Sequence, residues 1–180
     1  MIYAFLANGF EEIEALTVID VLRRAEKQVI TVGIGDNIIR GAHGITVVTD
    51  TEDKFIELDE TLEMIFLPGG MPGTLNLEKS PVVQKCIDHC IANDLYIAAI
   101  CAAPSILGHR GLLEGRKACC YKGFEQELKG AEVTTDPVTV DGKIVTSRGA
   151  GTAMDLALKL TEIFTSPERS KLMAASLMCR

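Results

Sequence analysis

The sequence predicts an α/β protein with one mainly parallel sheet covered by helices on both faces. Two observations predict it. Short apolar runs alternate with amphipathic stretches along the chain, and such alternation implies parallel strands joined by crossover helices. Three of the runs end directly in Ala7-Asn8-Gly9, in Gly69-Gly70 and at Cys101. Turns of that kind belong to the carboxyl rim of a parallel sheet, where ligands bind at the switch point.

The elements follow in order. Ile2 to Leu6 reads as a buried strand. Glu11 to Ala25 reads as a helix, with Ile13, Leu16, Ile19 and Leu22 on one face and acids in its first turn, where the helix dipole favours them. Gln28 to Ile34, a short run at Ile45 to Val48, and Glu63 to Leu67 are strands; the last stops at Pro68-Gly69-Gly70. Ser80 caps a helix with Pro81 at its first position, running to about Ala92. Tyr96 to Ile100 is a buried strand, followed by Cys101 and a helix with Pro104 in its first turn. Val138 to Val140 and Lys143 to Val145 flank Asp141-Gly142, a hairpin signal. Thr152 caps a helix to Phe164, and Pro167 starts another.

Composition narrows the function. The 180 residues suit one domain spanning 1–180, and the 47% apolar share suits a sizeable aliphatic core without Trp. The formal net charge of −7 argues against a nucleic-acid surface. No run approaches the ~20 apolar residues of a membrane span. No basic leader precedes the first strand, so the chain reads as cytoplasmic, with its six cysteines as thiols. A phosphate loop is missing. Gly33 and Gly35 follow the second strand, not the first, and lack the third glycine of a dinucleotide fingerprint.

Cys101 is the strongest chemical candidate. A sharp strand-to-helix turn presents its sulfur to free N–H groups and a positive dipole end, both of which lower a thiol pKa. A small buried apolar cysteine fits the same local sequence. Gly69 and Gly70 can bring backbone N–H groups against a ligand, and with the Ala102 N–H could form an oxyanion hole; an ordinary turn fits as well. Glu14 is a potential desolvated acid beside the sulfur, or a solvated helix residue like Glu11 and Glu12. Cys86, His89 and Cys90 share a helix face, but no second ligand pair stands at zinc spacing, so one cysteine is expected in the core and the other half-exposed. Cys119 and Cys120 read as strand neighbours facing opposite ways.

Together the motifs carry a resemblance. Gly9-Phe-Glu-Glu-Ile-Glu14, Leu67-Pro-Gly-Gly70, Ala98-Ala-Ile-Cys-Ala-Ala-Pro104 and Thr146-Ser-Arg-Gly-Ala-Gly-Thr152 occur in this order. They resemble the ThiJ/PfpI superfamily, in the branch of the Parkinson-associated protein deglycase and bacterial YajL, over essentially the whole chain. The resemblance implies a flavodoxin-like three-layer sandwich with a small β-hairpin, a homodimer, and no cofactor or metal. It implies Cys101 as the reactive cysteine, Glu14 as its acid, and Gly70 and Ala102 as oxyanion donors. Gly69, Arg148, His43 and Tyr121 become pocket candidates, and Arg24 lies toward the dimer side. Tyr121 stands where the branch has a pocket histidine, and His43 where it has a pocket arginine. Ala102, not His, follows Cys101, which disfavours a Cys–His protease.

The implied activity is a cysteine-dependent deglycase or glyoxalase acting on α-oxoaldehydes or their early protein adducts, with a stress-protection role. The competing expectation is a redox sensor or chaperone that uses oxidation of the same cysteine.

Overall fold

The computed structural model describes residues 1–179. Eleven strands and six α-helices follow in chain order. They are β1 (Ile2–Leu6), α1 (Glu12–Arg24), β2 (Val29–Gly33), β3 (Ile38–Arg40), β4 (Thr46–Val48), β5 (Thr51–Glu52), β6 (Met64–Leu67), α2 (Gly73–Lys79) and α3 (Pro81–Ala92). Then come β7 (Tyr96–Ile100), α4 (Pro104–His109), β8 (Lys117–Ala118), β9 (Glu132–Val133), β10 (Val138–Asp141), β11 (Ile144–Ser147), α5 (Ala153–Phe164) and α6 (Pro167–Ser176).

Seven strands form the central sheet in the order β10-β11-β7-β6-β1-β2-β5, with β10 antiparallel and the rest parallel. Alternation along each strand divides the core into two layers. Ile2, Ala4 and Leu6 of β1 pack with Ile19 and Leu22 of α1, Leu156 and Leu160 of α5, and Met173 of α6. Tyr3, Phe5 and Ala7 pack the other way, with Val83 and Ile87 of α3 and Ile106 and Leu107 of α4. The result is the expected flavodoxin-like sandwich. No helix among the described residues is long and apolar enough to cross a membrane.

The strand order reverses between β1 and β6. At this switch point the carboxyl ends of β1, β6, β7 and β11 lie side by side, with Leu67 opposite Ala99 and Ile100 opposite Ser147. The Gly9 turn, Gly69-Gly70, Cys101 and Arg148 all leave the sheet there.

Several local expectations need correction. On α1 the buried face is Ala15, Val18, Ile19, Val21 and Leu22, whereas Ile13 and Leu16 are 57% and 37% exposed. The predicted apolar stripe is thus split between core and surface. In the hairpin Asp141 pairs with Ile144, so the two-residue turn is Gly142-Lys143. Thr152 does not cap α5; its Oγ1 instead accepts the Gly149 N–H at 3.1 Å and closes the turn after β11. Ser80 does cap α3, accepting the Val83 N–H. A second hairpin, β3–β4, and the short α2 are additions to the predicted set.

Candidate active site

Cys101 is the first residue past β7, and its φ of 65° lies in the left-handed region. For a residue with a side chain that geometry costs about 1 to 2 kcal/mol, so the surroundings must impose it. They do so through the backbone. The Cys101 N–H donates to the Ser147 carbonyl at 3.0 Å, and its own carbonyl accepts the Tyr121 N–H at 2.8 Å. The turn aims a partly exposed sulfur at the rim, whereas Cys86, Cys90, Cys119 and Cys120 are buried. The backbone N–H groups of Gly70 and Ala102 act on that sulfur to favour its ionised form.

Glu14 lies on the inward side of the first turn of α1 and is 1% exposed. Its Oε2 accepts the Gly69 N–H at 2.9 Å, and its carboxyl and Cys101 both crowd the space beside Gly69. Burial pushes the carboxyl up to about 7; the bonds to Cys101 and Gly69 pull it back, and the Glu11 charge adds a smaller upward push. Gly69 makes the contact possible, because a Cβ there would stand 2.6 Å from Cys101 Cβ and 2.7 Å from Glu14 Oε2.

The thiol itself departs from expectation. α4 has only six residues, so its dipole is small. Burial, then the charge and hydrogen bond of an ionised Glu14, push the Cys101 thiol above its ordinary range; the Ala102 and Gly70 N–H groups oppose them. Sulfur and carboxyl in contact titrate as a pair. With the proton on Glu14, the opposing charge is gone and the carboxyl can donate to sulfur. The charge that opposes ionisation of Cys101 therefore comes from Glu14 on another element, and the short helix does not offset it. The arrangement can present a nucleophile, a carboxylic acid and two N–H donors to one reacting atom.

The remaining candidates divide. Tyr121 and Arg148 line a shallow cavity of about 290 Å³ with Lys122, Gly149, Ala150, Gly151 and Thr152. That cavity adjoins the acid: a Cβ on Gly149 would lie 3.3 Å from Tyr121 Cδ2 and 3.8 Å from Glu14 Oε1. His43 sits elsewhere, largely exposed, its Nδ1 3.0 Å from Glu12 and 3.5 Å from Glu11. Arg24 pairs with Asp20 on the exposed side of α1.

Glu12 is a residue the sequence reading misplaced. It is buried, and accepts the His43 and Ile45 N–H groups at 2.8 and 3.3 Å, pinning the β3–β4 hairpin to α1. Its signal was the glycine at 41, which leaves room for the carboxylate. Glu11, Glu12 and His43 form the one cluster with metal-compatible spacing among the described residues, but both Glu12 oxygens are already engaged. Cys86 and Cys90 are both fully buried, which corrects the half-exposed expectation and removes them from any metal reading. Cys119 and Cys120 lie just past β8, also both buried.

Residues 1–163 match the DJ-1/PfpI family model. The chain belongs to the DJ-1/PfpI family. Among its relatives, Arabidopsis thaliana DJ-1 homolog B is 36% identical over 97% of this chain. This chain spans only 40% of that protein's length, and 45% of DJ-1 homolog A from the same plant. The Caenorhabditis elegans protein named glutathione-independent glyoxalase DJR-1.2 is 32% identical over 89% of this chain and 86% of its own. Oxidized Toxoplasma gondii DJ-1 superposes with a TM-score of 0.94 at 36% identity, covering 99% of this chain and 97% of the other. Drosophila melanogaster DJ-1beta does so at 30% identity with the same TM-score, covering 99% and 97%. Within this DJ-1/PfpI chain, the motifs that signalled the family are the ones the fold gathers at the switch point: Glu14, Gly69, Gly70, Cys101 and the turn after β11.

Proposed function

We propose that the chain is a cysteine-dependent enzyme of deglycase or glyoxalase type. It acts on α-oxoaldehydes such as methylglyoxal, or on their early adducts with amines and thiols. The observation that carries the reading is the placement of the partly exposed Cys101 beside the buried Glu14 carboxyl, which burial pushes up to about 7. The similarity to a nematode protein named a glyoxalase supports it.

In this reaction Sγ of Cys101 bonds to the aldehyde carbon. The carbonyl oxygen becomes an oxyanion, stabilised by the Gly70 and Ala102 N–H groups and then protonated by Glu14. A proton passes from the former aldehyde carbon to the adjacent keto carbon through an enediol. The first carbon is thereby oxidised to a thioester and the second reduced to an alcohol, so the redox change balances within the substrate. Water cleaves the thioester, releasing a hydroxy acid and the thiol. Cys101→Ala should abolish methylglyoxal consumption, and Glu14→Gln should lower kcat by at least about a hundredfold. Undiminished turnover in Cys101→Ala would overturn the proposal.

A second reading rests on the partial exposure of the Cys101 sulfur, which Cys86, Cys90, Cys119 and Cys120 lack. Peroxide would oxidise it: an S–O bond forms, the O–O bond breaks and hydroxide leaves. Glu14 would then bond the sulfenic oxygen. Peroxide-dependent protection of client proteins without aldehyde turnover would select this reading.

The chain acts as a homodimer in this proposal. Ile13 and Leu16 on α1 stand beside exposed Ile38, Ile45 and Val48 of the β3–β4 segment, an apolar face that a second copy can cover. Sedimentation of Leu16→Glu as a monomer, against a wild-type dimer, is the expected result.

A further inference from the structure

The cavity lined by Tyr121 and Arg148 carries two cations, and no acid is among its lining residues. Lys122 and Arg148 both line it, both are exposed, and neither makes an ion pair among the described residues. The Arg148 guanidinium donates only to the Thr135 carbonyl, at 3.3 Å, which fixes its position without cancelling its charge. The nearest acid on the same segment is Glu125, and it is turned to the Gly123 N–H at 2.7 Å. Glu14 approaches the cavity from behind Gly149, its Oε1 3.8 Å from where a Gly149 Cβ would stand. When Glu14 holds its proton, the cavity presents two cations and no anion. In a chain of net charge −7 such a spot stands out. Its volume of about 290 Å³ fits a short chain of a few heavy atoms rather than a large ligand.

We propose that Lys122 and Arg148 select α-oxoaldehydes bearing an anionic group, a carboxylate or a phosphate, a few bonds from the reacting carbonyl. This inference rests on the reaction proposed above and specifies its substrate. Tyr121 lines the cavity and its N–H donates to the Cys101 carbonyl at 2.8 Å, which joins the two cations to the Cys101 turn. Gly149 and Gly151 keep the floor clear; a Cβ on Gly151 meets nothing within 4 Å. Lys122 supplies a mobile point charge, and Arg148 a planar fork that can take a carboxylate or phosphate through two bonds.

The test compares three aldehydes: methylglyoxal, its homologue dioxovalerate with a terminal carboxylate, and hydroxypyruvaldehyde phosphate. Expected is a kcat/KM at least about tenfold higher for one or both anionic aldehydes, carried by KM and shrinking as salt rises. The arm that wins identifies the anion. Lys122→Glu and Arg148→Gln should bring the anionic-to-neutral ratio down to about one. An anionic-to-neutral ratio of about one in the wild type, with methylglyoxal turned over normally, would overturn the inference and leave the reaction standing. A second readout is independent of turnover: the rate of Cys101 alkylation by anionic iodoacetate relative to neutral iodoacetamide. That ratio should exceed the one measured at Cys179 and fall in Lys122→Glu. Equal ratios at the two cysteines would overturn the inference even if the chain turns over no aldehyde.

Discussion

Glu14 and Gly69 meet across 55 residues of sequence, the carboxyl accepting the glycine N–H at 2.9 Å, and this bond sets the second oxygen's side of the carboxyl toward Gly149. A buried acid held in this way is a titrating element as well as a chemical one. In the folded chain it keeps its proton up to about 7, against an ordinary value of 4.5.

The sign of its effect on stability follows. Between those two pH values the native state binds a proton that the unfolded chain has lost. The stabilisation is full below about 4.5 and is lost as pH rises through about 7. At roughly 1.4 kcal/mol per pH unit the change is about 2 to 4 kcal/mol. Urea unfolding of the wild type should show this loss, and Glu14→Gln, which stays neutral, should show a much flatter pH dependence. Parallel curves for the two proteins would refute the assignment.

Gly69→Ala and Gly149→Ala form a graded pair. The first pushes a methyl into Cys101 Cβ and Glu14 Oε2 at 2.6 and 2.7 Å, where nothing can yield. The second meets Tyr121 at 3.3 Å, an exposed ring that can swing aside. Gly69→Ala should cost about 1 to 3 kcal/mol of stability and most of the Cys101 reactivity. Gly149→Ala should change stability by less than about 1 kcal/mol. Thermal unfolding together with alkylation kinetics checks both.

Behind the site, His109 at the end of α4 is gripped on both ring nitrogens, by Glu78 at 2.5 Å and Glu127 at 2.8 Å. Two carboxylate partners require the protonated ring. The hydrogen bonds to Glu78 and Glu127 raise its pKa. Its contribution is therefore present below the ordinary histidine value of about 6.5 and is lost as pH rises through the raised one. Partial exposure limits it to about 0.5 to 1 kcal/mol. His109→Gln should be destabilising near about pH 6 and close to neutral near about pH 9; an equal effect at both would show that packing, not charge, is what the ring provides.

Cys86 and Cys90 should be silent toward alkylating reagents in the native protein. Burial pushes both thiols up to about 12. Peptide mass spectrometry after brief iodoacetamide treatment should find Cys101 modified and these two intact until denaturant is added. Early labelling of either would mean that α3 opens readily.

The sheet, its parallel order and the rim of the candidate site were legible because strands buried on both faces leave continuous apolar runs, and because Ala7-Asn8-Gly9, Gly69-Gly70 and Cys101 follow three of them directly. What escaped was set by tertiary contacts. Glu12 and Glu14 both carry inward carboxylates on either side of an exposed Ile13, a pattern no helical periodicity predicts. β3, β5, β8 and β9 have two or three residues each, too few to show a period. Glu14 as the sulfur's neighbour was legible, but the upward shift of the thiol was not: burial and a charge from another element outweigh the helix that follows the cysteine.

The hydrogen bond from Cys101 N–H to Ser147 carbonyl has a consequence for the order of assembly. It joins residue 101 to a strand made 40-odd residues later, and Tyr121 closes the turn from between them. A chain still being synthesised can pair β1, β2, β6 and β7 before β11 exists. The strained turn at Cys101 then has no partner to impose it, and costs more to hold than to relax. A nascent chain would thus hold Cys101 in an ordinary backbone conformation, and its left-handed turn would arise only when the last third of the chain docks.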